Sequence, residues 1–265
     1  MKRIAVVTGA SAGFGVEFAL QLDALSGEDR LDEIWLVARR RERLEALAGR
    51  LSNAKGVPVA ADLSKPEGTE LLSSLAAEAV SGGAELAWFV NNAGFGTYGR
   101  FAETPLARVL EEIDLDVRAL TELSWVAARA MRRGGRIVNV ASLAAFQPLG
   151  DFAVYAAAKA YVHHFSLALA AELEEAGITV TSLCPGPAST EFALVASEGA
   201  RPEVRHGRDA ATVVRRCLAD ARRGRWTSVP YLSWKATAFL SRFLGKGLVA
   251  RVSAKAMRRP VKRGD

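Results

Sequence analysis

The 265-residue chain is half apolar and carries a formal net charge of +6, enough material for one sizeable core and so expected to fold as a single domain. Its two cysteines, Cys184 and Cys217, form no CxxC pair and have no neighbouring histidine ligands, which argues against a disulfide framework or a metal site. The first apolar run is too short for an export signal or a membrane span, so a cytoplasmic setting is expected.

Apolar runs of strand length alternate with longer amphipathic stretches, the pattern of βαβ units closing a parallel sheet. Seven strands are predicted, over residues 4–8, 33–38, 57–61, 86–91, 136–141, 179–184 and 226–229. Helices are predicted over 15–25, 41–51, 67–80, an interrupted 105–132, and 154–176, the last closed by Gly177. The expected fold class is α/β: a doubly wound, mostly parallel seven-stranded sheet with helices on both faces. No repeat or break in composition divides residues 1–225, and residues 226–265 read as a basic C-terminal extension.

The first predicted strand runs into Thr8-Gly9-Ala10-Ser11-Ala12-Gly13-Phe14-Gly15, after which a helical pattern begins. A glycine-rich turn at a helix N-terminus lets a pyrophosphate approach the backbone and offers it unpaired N–H groups. Gly9, Ser11, Gly13, Phe14 and Gly15 are therefore candidate cofactor contacts, although a tight structural turn would leave the same trace. Beyond the second strand come Arg39, Arg40 and Arg41, where a site selective for NAD would place an acid for the ribose 2′-hydroxyl. Arg39 is positioned to meet a 2′-phosphate, so NADP(H) is the preferred cofactor, with NAD(H) also admissible. Arg40, Arg41 and Arg43 read as a solvated helix face. Asp62 and Leu63 follow the third strand and fit either an adenine edge or a surface turn.

Tyr155 and Lys159 are four residues apart in a helical stretch, which puts phenol and ammonium on one face. The lysine charge favours the phenolate and brings it nearer to useful proton exchange. Ser142 follows the fifth strand, at the edge where open α/β sheets bind ligands, and its hydroxyl can hold a substrate oxygen. Each pattern alone is weak.

Together with Asn91-Asn92-Ala93-Gly94 and Pro185-Gly186, these motifs follow one another over residues 3–195 as in the short-chain dehydrogenase/reductase family, which the chain resembles. The resemblance implies a Rossmann-like fold and hydride transfer between a nicotinamide cofactor and a carbonyl or alcohol. It assigns proton exchange to Tyr155, lowering of the phenol's pKa and a hydrogen bond to the nicotinamide ribose to Lys159, and orientation of the carbonyl to Ser142. It also makes Asn91, Pro185, Gly186, Ala188 and Thr190 cofactor contacts and suggests a homodimer or homotetramer. Asp116 stands where the family usually has an asparagine that supports a water-linked proton relay; it offers no amide donor but can attract Lys159. Position 12 is alanine, without the basic residue that some NADP-using members carry, which leaves Arg39 as the main argument for NADP(H).

Phe95, Tyr98, Leu143, Phe146, Phe192 and Leu194 flank these motifs, so an apolar, lipid-like or steroid-like substrate is expected, with Phe95, Leu143, Phe146 and Phe192 as its contacts. His163, His164 and Cys184 receive no role. Residues 221–265 hold 12 Lys/Arg against one acid, and residues 231–257 interleave bases with large apolar residues at helical spacing. That stretch suits a helix packed on the domain or a partner, an interfacial helix on anionic lipid, or a solvated extension. No nucleic-acid module is recognisable. The competing function is a nucleotide-sensing protein of a membrane surface or an interaction, with little turnover.

Overall fold

The computed structural model describes residues 1–201, 204 and 207–256. Seven strands, β1 (Arg3–Thr8), β2 (Glu33–Ala38), β3 (Lys55–Ala60), β4 (Glu85–Asn91), β5 (Arg136–Val140), β6 (Thr179–Leu183) and β7 (Thr227–Ser228), form one sheet in the order β3-β2-β1-β4-β5-β6-β7. Every pairing is parallel. The inner strands are apolar on both faces because helices cover both. β3 carries Pro58, which has no N–H to donate, and lies at the sheet edge where that costs no ladder bond.

The helices are α1 (Gly13–Asp23), α2 (Arg41–Ala48), α3 (Pro66–Ser81), α4 (Leu106–Ile113), α5 (Leu120–Ala130), α6 (Ala153–Leu173), α7 (Phe192–Ala196), α8 (Ala210–Arg222), α9 (Leu232–Leu240) and α10 (Lys246–Ala256). One core packs against one face of the sheet through Phe18, Leu22, Val213 and Leu218, and the other through Leu72, Phe89 and Leu123. The predicted interruption of the 105–132 helix is a π-helical turn, Asp114–Ala119, joining α4 to α5 without a break. Such turns insert an extra residue and re-aim the side chains they carry.

α8 lies outside the predicted set. Arg215 and Arg216 mask its periodicity, yet it buries Val213, Val214 and Cys217 and is capped by Asp209, whose carboxylate accepts a 2.8 Å bond from the Thr212 N–H. The boundary drawn after residue 225 cuts off β7, a strand of the same sheet, and Trp234, which is buried in the first core. The basic extension is thus continuous with the domain through β7 and α9. Residues 257–265, its end, lie outside the described residues.

Candidate active site

The strand order reverses between β1 and β4, whose connections leave in opposite directions and open a crevice at their C-terminal ends. Its two lips are tied by Thr8: the hydroxyl donates to the Val90 carbonyl and accepts from the N–H groups of Asn92 and Ala93, both at 2.9 Å. The crevice has a volume of about 950 Å³. At one end Gly9, Ser11, Gly13 and Phe14 line it. Gly15 does not: a Cβ on it would lie 2.1 Å from the Gly9 carbonyl oxygen, so this glycine lets α1 pack onto the turn. The α1 N-terminus has no side-chain cap, leaving its N–H groups for an anion.

Arg39 and Arg40 both reach this end. Arg39 is exposed and pairs with Glu111 at 3.4 Å. Arg40, read from the sequence as part of a solvated face, donates to the Ser11 hydroxyl at 3.0 Å and pairs with Glu191. Arg43 joins Glu191 at 2.8 Å, so α2 is latched to the opposite lip. Only the adjacency of Arg40 to Arg39 hinted at this. Asp62 and Leu63 line the same end, Asp62 accepting from the Ser64 N–H and hydroxyl.

The asparagine turn departs from expectation. Asn91, the chosen contact, turns into the protein, where its amide donates to Ser124 and Asn139 at 3.0 and 2.9 Å. Asn92, the next residue, lines the crevice. The strand ends here, and the sheet interior takes the side chain still held in strand register. On the far side, Pro185, Gly186, Ala188 and Thr190 line the crevice, with Trp234 and Thr237 of α9 beside them.

Ser142, Tyr155 and Lys159 all line this crevice. Tyr155 is walled by Phe152, stacked on it at 4.2 Å, and by Phe192 at 5.2 Å. Burial pushes the phenol above its ordinary range, even though Lys159 and Ser142 favour the phenolate. The expected lowering by lysine is therefore outweighed by burial. Lys159 donates to the Val140 carbonyl at 3.0 Å and lies 2.9 Å from Asp116 Oδ2. Burial disfavours its charge, but Asp116 and Tyr155 more than compensate and hold it protonated. Asp116 is completely buried, which raises its carboxyl against the pull of Lys159, and it accepts from the Phe95 N–H at 3.0 Å. A Cβ on Gly94 would come within 2.8 Å of this carboxylate, so glycine admits it.

Among the expected substrate contacts, Phe95, Leu143 and Phe192 line the crevice, as does Tyr98. Phe146 does not; its ring turns into the core, edge-on to His163 at 4.9 Å. A short 3-10 turn over Leu143–Phe146 directs Leu143 into the crevice and Phe146 away from it. Leu194 points to solvent and does not line it. His163 bonds Ser182 at 3.0 Å, and His164 is exposed on α6. Burial pushes the Cys184 thiol up to about 12, which leaves it an unreactive packing group. Among the described residues no group of three or more His, Cys, Asp or Glu side chains is placed to hold a metal ion.

A dinucleotide fits this site: one crevice brings together a backbone cradle at a helix N-terminus, two arginines, and a phenol beside an ammonium. Comparison with known proteins agrees. Residues 3–200 match the family described as short chain dehydrogenase. Serine 3-dehydrogenase of Rhizobium radiobacter is 33% identical over 199 residues, covering 73% of this chain and 75% of that protein. EphD of Mycobacterium tuberculosis is 32% identical over 198 residues, 73% of this chain, and the match spans only 32% of EphD's length. A short-chain dehydrogenase from Sphingobium yanoikuyae, solved in complex with NADPH, superposes with a TM-score of 0.77 at 27% identity, over 92% of this chain and 94% of that one.

Proposed function

The chain belongs to the short-chain dehydrogenase family, and on that premise we propose that it is an NADP(H)-dependent oxidoreductase interconverting a ketone or aldehyde with an alcohol on an apolar substrate. The observation that carries this reading is the Tyr155 phenol, lining the crevice with Lys159 and Ser142 and packed against Phe152 and Phe192. The cofactor supplies or accepts the hydride. Gly9, Ser11 and Gly13 would hold its pyrophosphate, Arg39 and Arg40 its 2′-phosphate, and Thr190 and Gly186 the nicotinamide side. Ser142 orients the carbonyl oxygen, Tyr155 gives it a proton in reduction and takes one back in oxidation, and Lys159 fixes the phenol's surroundings. Phe95, Leu143, Tyr98 and Phe192 exclude water from the reacting carbon and favour an apolar substrate. The test is oxidation of NADPH across a panel of bulky ketones and aldehydes, followed by absorbance, with Tyr155→Phe as control. No turnover of any carbonyl, or equal turnover by the variant, would overturn it.

A second reading concerns location and does not conflict with the first. No helix among the described residues is long and apolar enough to cross a membrane. On α9 and α10 and the turn between them, however, Phe239, Leu240, Phe243, Leu244, Leu248 and Val252 are all more than half exposed. Lys235, Arg242, Lys246, Arg251 and Lys255 stand among them with no acid between. This surface suits a peripheral contact with anionic lipid. Flotation of the full chain with phosphatidylglycerol vesicles tests it, and binding equal to that on neutral vesicles would reject the electrostatic part. Exposed Leu106, Leu110 and Trp125 on α4 and α5 support the expected homodimer or homotetramer, which sedimentation velocity would measure.

A further inference from the structure

Glu112 lies on α4 one helical turn before Asp116, and no sequence motif points to it. It is wholly buried. Neither carboxylate oxygen makes a hydrogen bond of normal geometry, although the Thr97 hydroxyl faces it. The charged groups acting on it are few. Asp116 comes from the π-helical turn, Lys159 from α6, and Arg108 from its own helix. Lys159 is engaged by Asp116 at 2.9 Å. Arg108, which also favours the Glu112 carboxylate, places its guanidinium 4.1 Å over the Phe95 ring and pairs with Glu111, with its side chain partly exposed.

Two buried carboxyl groups thus share one buried ammonium. Were both ionised, one negative charge would remain in a low-dielectric interior with no hydrogen-bonded cation, which is unfavourable. Retaining one proton removes that cost. In accord with this, burial pushes the Glu112 carboxyl up to about 7, helped by the Asp116 charge.

We propose that Glu112 and Asp116 form a carboxyl pair that keeps one proton behind Lys159, and that this pair is the internal store from which Tyr155 is recharged. The inference rests on the oxidoreductase reading for its role in turnover. When a substrate carbonyl is reduced, the Tyr155 O–H bond breaks and its proton goes to the new alcohol. A Lys159 N–H proton restores the phenol, the carboxyl pair returns a proton to the amine, and a proton from solvent refills the pair. In oxidation every transfer runs the other way; the protein regains its own protons each turn, and solvent supplies one proton per carbonyl reduced and receives one per alcohol oxidised. Asp116 contacts Lys159 directly. Glu112 acts through Asp116 and is a positioning residue. It sets how much negative charge lies behind the lysine, and so how readily the phenol gives up its proton.

The test reads titration, so that it does not depend on finding a substrate. The full chain is labelled with carbon-13 at the glutamate carboxyl and the tyrosine ζ carbon and titrated by NMR, as parent, Glu112→Gln and Glu112→Met. Tyr155→Phe identifies the Tyr155 signal. One glutamate signal with a midpoint near neutrality should be present in the parent and missing in both variants. The Tyr155 midpoint should fall by about half a unit or more in both variants, because a buried negative charge has been removed. Should Glu112→Gln fail to fold, Glu112→Met carries the same comparison. If every glutamate titrates in the ordinary acidic range, or the Tyr155 midpoint is the same with and without Glu112, the inference is wrong. With a carbonyl that is turned over, the pH profile of kcat should move in the same direction as the Tyr155 midpoint. Absence of turnover on all carbonyls would instead sink the oxidoreductase reading and leave the titrations to judge the carboxyl pair.

Discussion

The Lys159 ammonium lies 2.9 Å from the Asp116 carboxylate, and both side chains are almost wholly out of reach of water. α6 supplies the lysine and the π-helical turn between α4 and α5 supplies the aspartate, so the pair clamps two helices together directly behind the tyrosine. A lysine held this way keeps its charge and its direction without a substrate. Asp116 thus holds by charge the place where the family resemblance leads one to expect an asparagine.

Removing one member of the pair should be costly. Asp116→Ala leaves Lys159 buried without its counter-charge and is expected to lower stability by about 3–5 kcal/mol. Asp116→Asn, which keeps the shape and an acceptor oxygen, should lose less. Urea denaturation of the three proteins gives the comparison, and equal stability of parent and Asp116→Ala would show that the pair is structurally idle.

Tyr155→Phe preserves the stacked ring against Phe152 and deletes only the transferable proton. Turnover should fall by roughly 10²–10⁴, while NADPH affinity, followed by its fluorescence, stays near that of the parent. A variant retaining a large fraction of the activity would remove the phenol from the mechanism.

Stability should depend on pH through Glu112. Its carboxyl is raised in the folded protein from 4.5 to about 7. Below about pH 4.5 the group is protonated in both folded and unfolded chains and costs nothing. As pH rises towards 7 the unfolded chain releases the proton and the folded one does not, so stability is progressively lost. Glu112→Gln removes this loss. It should match the parent near pH 4 and exceed it by roughly 2–3 kcal/mol at pH 8. Denaturation curves at the two pH values decide it, and a gain independent of pH would contradict an ionisable origin.

Arg39→Asp should weaken NADPH far more than NADH, by about 10–100-fold, the worth of one or two hydrogen bonds to a charged phosphate. Arg40→Ala should weaken NADPH too, and through loss of the 3.0 Å bond to Ser11 it should also loosen NADH binding modestly. Calorimetric titration with each cofactor separates the two arginines. Equal losses for both cofactors in Arg39→Asp would deny it the 2′-phosphate.

Much of this molecule was legible without coordinates because its signals are local. A strand–glycine–helix sequence reports its own turn, a tyrosine and a lysine four apart on a helix share a face whatever surrounds them, and runs of both-face burial mark a parallel sheet. The seven strands follow from such short-range rules, whereas grouping Ser142 with Tyr155 and Lys159 was what the family resemblance implied. α8 escaped because the arginines on its outer face blur the apolar period that its inner face obeys.

What tertiary structure alone decided is which way side chains point where regular elements end, and which distant charges become neighbours. Asn91 turned inwards while Asn92 faced the crevice, and Phe146 went to the core while Leu143 lined the wall. Arg40 left a helix surface to grip Ser11. Above all, Asp116 and Glu112 acquired their meaning from burial beside Lys159. The energy of a charge depends on what surrounds it in three dimensions, and a chain of letters records only what lies next to it along the backbone.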